Sequence, residues 1–224
     1  MVQRKGKGTR REGSERAGRV EEIIKRLEKL YPNARLELEY ENAFQLLVEA
    51  ILAAQESDKK VNSIREELFN KYKSPEDIVR TPLDELERDI SSINFYRRKA
   101  KLLKKCCEAL VKEFGGKVPD SVEELVKLPG VGRKTANMVV GGAYEKPAII
   151  VDRHVLRVSQ RIGLTEGKDP DKVEFELRDM VPQKDWTKFS FLLLNHGKNI
   201  CMAREPKCGE CPICDLCDSC KVNL

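Results

Sequence analysis

An all-α fold is predicted for this 224-residue chain by three features. Apolar residues recur at three- and four-residue steps, helix-start signals are frequent, and only one short run has strand character. Val20, Ile23, Ile24, Leu27 and Leu30 form a first stripe, and Val61, Ile64 and Leu68 a second; each is read as an amphipathic helix. Ser74-Pro75, Thr81-Pro82 and Asp169-Pro170 each set a capping side chain before a proline whose fixed φ suits a first helical turn. Between Tyr96 and Phe114, the residues Ala100, Leu103, Cys107, Leu110 and Phe114 line one helical face, and Gly115-Gly116 supplies a stop. Ala148-Ile149-Ile150-Val151 is β-prone, but a run this short serves equally well as a buried connection.

Composition narrows the class. With 40% hydrophobic and 35% charged residues the chain reads as globular, and it contains no apolar run long enough to span a membrane. Residues 1–19 are basic but lack the apolar segment of a secretory signal, so a cytoplasmic location is expected. In that reducing compartment the eight cysteines are expected to be thiols or metal ligands rather than a disulfide framework. A net charge of +5 is too small to establish a nucleic-acid partner by itself. The basic residues Arg4, Lys5, Lys7, Arg10, Arg11, Arg16 and Arg19 suit either phosphate attraction or a solvated tail.

Two segments carry chemistry. In Ser121–Val140, SVEELVKLPGVGRKTANMVV, Ser121 and Glu124 have capping-box spacing, Leu128 to Gly132 make a tight turn, and a second helix opens near Arg133. This is a helix-hairpin-helix pattern, in which Gly130, Val131, Gly132 and Arg133 present backbone N–H groups to a phosphate oxygen. After Ile200, cysteines at short intervals replace the hydrophobic periodicity, marking a small metal-organised element; their C-x2-C pairs fit structural zinc. Cys106 and Cys107 sit instead within a predicted helix, as small hydrophobes.

LPGVGRKTANMVV, then VDRHV, then the cysteine cluster resemble the endonuclease III family of helix-hairpin-helix DNA glycosylases, from about Arg19 to Cys217. The resemblance implies that Lys134 attacks the sugar C1′ and that Asp152 assists, with His154 orienting the Asp152 segment. It makes Gln55 the plug for the gap left by an extruded nucleotide, Asp58 a pocket residue, and Phe95 a second wedge, for which core packing is the competing role. It assigns Cys201, Cys208, Cys211 and Cys217 to a [4Fe-4S] cluster that shapes a DNA-contacting loop bearing Arg204 and Lys207. Cys214 and Cys220 depart from the family spacing and leave other ligand sets, and zinc, open. Arg153 stands where the family commonly has threonine.

The implied architecture is two helical lobes with a DNA-binding cleft between them. Residues 36–146 would form the hairpin domain, residues 19–35 with 147–224 the iron-sulfur domain, and residues 1–18 a basic flexible tail. The implied activity is excision of oxidised pyrimidines from double-stranded damaged DNA, by a monomer, followed by β-elimination through a lysine Schiff base. To attack, the lysine must be neutral, a state that the positive end of a helix, nearby Arg133 and partial desolvation would all favour. A monofunctional mismatch glycosylase is the nearest rival, although Lys134 argues against it. A noncatalytic DNA-binding module would not need Lys134 together with Asp152, and an electron carrier leaves the hairpin unexplained.

Overall fold

The structure, a computed structural model, describes residues 10–220, with side chains from Ala17 onward. The expected basic residues from Arg4 to Lys7 lie outside the described residues, as do the side chains of Arg10, Arg11 and Arg16. Among the described residues there are helices and turns but no strand. No helix among them is long and apolar enough to cross a membrane. The chain divides into two compact units, Leu36–Ile150 and Met1–Arg35 with Val151–Leu224.

Helix α1 (Arg10–Leu30) begins the second of these units, so helical structure reaches back into the segment expected to be a flexible tail. Its residues Val20, Ile23, Ile24 and Leu27 are buried, as the first stripe predicts, whereas Leu30 is exposed.

The unit Leu36–Ile150 holds α2 (Ala43–Leu52), α3 (Asp58–Asn62), α4 (Arg65–Lys71), α5 (Pro75–Arg80), α6 (Leu83–Asp89), α7 (Tyr96–Phe114), α8 (Val122–Leu125) and α9 (Arg133–Ala143). Every residue of α2 from Phe44 to Leu52 is buried, which places this nearly all-apolar helix at the centre, against α7 and α9. Helix α7 has the predicted limits: Ala100, Leu103, Cys107 and Leu110 face the core, and Gly115 ends it at φ 59°. Cys106 and Cys107 are core residues, and burial pushes the Cys106 thiol up to about 12.

Three local expectations need correction. The stripe Val61, Ile64, Leu68 is not one helix, because Ser63 caps the end of α3 and its hydroxyl donates to Lys60 O at 2.7 Å, so the chain restarts at Ile64. Ser74 does form a capping box with Asp77, but Pro82 precedes α6 instead of opening it, while the Thr81 hydroxyl donates to Asp77 O at the end of α5. The Ser121 hydroxyl donates to Glu124 Oε2 at 2.9 Å, so the two side chains bond each other and the backbone half of that box is not made. Ala148–Val151 forms no strand and is the buried connection that the sequence also allows.

The other unit adds α10 (Arg153–Ile162), α11 (Pro170–Met180) and α12 (Trp186–Asn199) to α1. Asp169 caps α11 with Pro170 in its first turn, as predicted. Helices α10 and α12 pack closely, and Gly197 makes this possible: a Cβ there would stand 2.9 Å from His154 Cβ and 3.1 Å from Val158 Cγ2. Beyond α12 the chain leaves regular packing, and among residues 201–220 the only buried hydrophobic side chain is Ile213.

Candidate functional site

The hairpin is held from beneath by apolar contacts. Leu125, Leu128, Val131, Ala136 and Val139 are all buried, fixing the turn between α8 and α9. Gly130 takes φ 83°, which favours glycine, whereas Gly132 is extended and serves as the N-cap of α9 without any side-chain cap. The first turn of α9 therefore presents backbone N–H groups that no capping side chain covers. One expected donor is already used, since the Val131 N–H bonds Leu128 O at 3.1 Å. Lys134 lies in this first turn and is exposed, so the partial desolvation expected from the sequence is absent.

Asp152 lies on the other unit, as the N-cap of α10. Its Oδ1 accepts from the His154 and Val155 N–H groups, both at 2.8 Å, which leaves Oδ2 as the oxygen not committed to the cap. His154 is half-buried, with Arg157 Nη2 3.2 Å from Nδ1 and Arg153 Nε 3.3 Å from Nε2. Burial lowers its pKa below the ordinary histidine value. Arg157 also donates to Gly197 O at 2.8 Å and to Cys201 O at 3.1 Å, connecting the Asp152 end of α10 to the first cysteine of the cluster.

Cys201, Cys208, Cys211 and Cys217 line a cavity of about 550 Å³ together with Arg161, His196, Arg204 and Lys207. Arg161 Nη1 donates to Cys201 Sγ at 3.5 Å, and His196 Nε2 stands 3.5 Å from Cys211 Sγ. Burial, assisted by the neighbouring cysteines, pushes the Cys211 thiol up to about 11; a bound cation would reverse that balance. No group of three or more His, Cys, Asp or Glu side chains among the described residues is arranged to hold a single metal ion. Arg204 and Lys207 are exposed on the loop between Cys201 and Cys208.

The expectation that all eight cysteines would be thiols or ligands fails at two positions. Cys214 and Cys220 form a disulfide, with their Cα atoms 5.4 Å apart. Successive short turns, from Cys211 O to Cys214 N and from Cys217 O to Cys220 N, curl the segment back on itself and bring the pair together.

The remaining predicted residues lie on the unit Leu36–Ile150. Gln55 and Phe95 are both exposed and both left-handed, at φ 57° and 58°. Phe95 is 63% exposed, which removes core packing as its role. Asp58 is the first residue of α3 and is half-buried. Sequence reasoning missed the latches of the cysteine loop. Arg19 bonds Ile162 O, Leu216 O and Asp218; Arg26 bonds Pro212 O and Asp215; and Arg161 bonds Met202 O and Ala203 O. The four-residue spacing of Arg157 and Arg161 on one helix face was the available signal.

Against known proteins, residues 48–183 match the HhH-GPD superfamily of base excision DNA repair proteins. Endonuclease III of Bacillus subtilis is 45% identical over 195 residues, 87% of this chain and 89% of that one. The chain belongs to the endonuclease III family. It is accordingly a base-excision-repair DNA glycosylase with abasic-site lyase activity. A solved structure of a trapped endonuclease III–DNA covalent intermediate matches at a TM-score of 0.86 with 41% identity, covering 92% of this chain and 97% of that one. A thermostable thymine-DNA glycosylase matches at 0.82 with 28% identity, covering 90% of this chain and 96% of that one.

Proposed function

We propose that this family member removes oxidised pyrimidines such as thymine glycol from duplex DNA and cleaves the abasic strand through an imine on Lys134. The observation that carries this reading is an exposed lysine in the first turn of α9, behind an uncapped glycine mouth suited to holding a backbone phosphate. Its likeness to an endonuclease III trapped covalently on DNA supports the same chemistry. In the proposed sequence the neutral Nζ bonds C1′ as the C1′–N bond to the base breaks, and the base departs with the proton that the amine gives up. The C1′–O4′ bond then breaks, O4′ takes a proton from solvent, and the opened sugar is left as an imine on Nζ. Loss of a C2′ proton from the imine then expels the 3′ phosphate. Asp152 is assigned the carboxylate role: taking up the amine's proton and opposing positive charge on the sugar.

The cysteine loop fits a [4Fe-4S] cluster held by Cys201, Cys208, Cys211 and Cys217. Four thiols distributed around a cavity of about 550 Å³ suit a multinuclear group, in which each thiolate meets a different iron. A single zinc would instead draw all four sulfurs to within about 2.3 Å of one point. When bound, such a cluster supplies an anchor for the loop that carries Arg204 and Lys207, toward the DNA backbone. The protein is read as a monomer acting on damaged duplex DNA in the cytoplasm.

The test incubates purified protein with duplexes containing thymine glycol or an abasic site, with and without borohydride. Covalent adducts with both, lost in Lys134→Ala, are expected. Trapping of abasic DNA by Lys134→Ala at the native rate would overturn the lysine assignment, and an adduct with abasic DNA alone would overturn the base assignment.

A further inference from the structure

Gln55 and Phe95 are distant in sequence yet share an unusual backbone. They are two of the three non-glycine residues in the left-handed region among the described residues. Such conformations persist only where surrounding structure holds them, and they gather at functional sites. What holds these two is a pair of cross-links between the segments that bear them. Glu56, directly after Gln55, accepts the Asn94 N–H through Oε2 at 2.9 Å, and Asn94 directly precedes Phe95. The other oxygen, Oε1, accepts from its neighbour Ser57 N–H at 2.9 Å, which fixes the carboxylate plane. On the far side, buried Lys99 donates to Leu52 O at 2.6 Å, joining the first turn of α7 to the end of α2.

Charge favours the same arrangement. Helix α7 has no acidic residue in its first turn, and its N-cap Phe95 contributes no side-chain bond. Glu56 brings a carboxylate to that positive helix end from another segment. The Asn94 amide, and then that of Ser57, hold its carboxyl below the usual range, so it stays ionised at neutral pH.

We infer that Glu56 is a positioning residue that locks Gln55 and Phe95 into one two-pronged wedge, so that both prongs enter the emptied stack together. Two independently mobile loops would each lose conformational freedom on entering DNA, whereas a preformed pair has already lost it. This inference rests on the insertion roles that the family resemblance implies for Gln55 and Phe95.

The test uses the full chain and a duplex carrying an uncleavable tetrahydrofuran abasic analogue, with 2-aminopurine beside it as a fluorescent reporter of unstacking. Gln55→Ala and Phe95→Ala should each reduce the fluorescence rise at saturating protein. Glu56→Ala should reduce the extrusion equilibrium roughly tenfold, because the ordering of the two prongs then falls on the insertion step. Adding Phe95→Ala to Glu56→Ala should then reduce it little further, and Glu56→Gln, which retains an acceptor, should recover most of the signal. A native signal in Glu56→Ala, with Gln55→Ala and Phe95→Ala impaired, would overturn the lock and leave the wedge intact. Native signals in both Gln55→Ala and Phe95→Ala would overturn the wedge and the lock with it. If affinity for undamaged duplex, or the melting temperature, falls in Glu56→Ala in step with the fluorescence, Glu56 is merely structural and the inference is wrong.

Discussion

The hairpin and the cysteine loop solve the problem of holding functional groups in opposite ways. Beneath the hairpin, Leu125, Leu128, Ala136 and Val139 are almost fully buried, so apolar packing fixes the backbone from which Lys134 projects. In the cysteine loop Ile213 is the only buried hydrophobic side chain, and arginines from α1 and α10 grip its carbonyls instead. An attacking amine needs a rigid base and an open approach, which an apolar core under an exposed helix mouth provides. The four thiols of this loop line a cavity, and a cavity precludes dense packing at its centre. Polar latches and the Cys214–Cys220 disulfide then supply the order, to which the proposed cluster would add.

Perturbing each region separately sharpens this contrast. The largest effect is expected from Cys208→Ser, which should lower bound iron roughly tenfold or more and remove the visible absorption, because the ligand set is incomplete. A colourless native protein with stoichiometric zinc would break the comparison at this point. Leu125→Ala should lower stability by about 2–5 kcal/mol through the cavity left beneath the hairpin, while iron content stays native. Arg161→Ala removes donors to Met202 O, Ala203 O and Cys201 Sγ, and should destabilise by roughly 1–3 kcal/mol. Faster amide exchange confined to residues 201–208 would show that the arginine acts as a latch.

An effect of a different kind concerns pH. Glu49 in α2 is fully buried beside Arg65, and burial, only partly opposed by that guanidinium, pushes its pKa up to about 8. The ion-pair distance of 3.8 Å is too long for a hydrogen bond, and neither carboxylate oxygen has one, so burial outweighs the attraction. A raised folded-state pKa means that the folded form holds more protons above the ordinary value of 4.5. This contribution is therefore full below pH 4.5 and is lost as pH rises through about 8. The melting temperature of the native chain should fall relative to Glu49→Gln across that window, and parallel curves would show that Glu49 stays ionised throughout.

The helical fold was legible because its signals are local. The α7 stripe, the Asp169-Pro170 start and the Leu128-Pro129-Gly130 turn act within a few residues, and each appears where the sequence predicts. The split of α3 from α4 and the displaced proline of α6 were not legible, since each depends on one side chain capping the preceding helix. For the candidate site, the sequence pointed to Lys134 at a helix mouth but not to its exposure. Motif spacing likewise singled out four cysteines yet could not show that Cys214 and Cys220 would pair. The contacts of Arg19, Arg26 and Glu56 join residues far apart in the chain, so no periodicity records them.

The central claim is that Lys134 is the nucleophile, and its most direct test is to map the reduced protein–DNA adduct by digestion and mass spectrometry. Incubation with abasic duplex and borohydride should place the sugar-derived mass on the peptide spanning the Gly132 mouth, at Lys134 Nζ. Attachment at any other lysine or at the chain terminus, with Lys134 unmodified, would contradict the account.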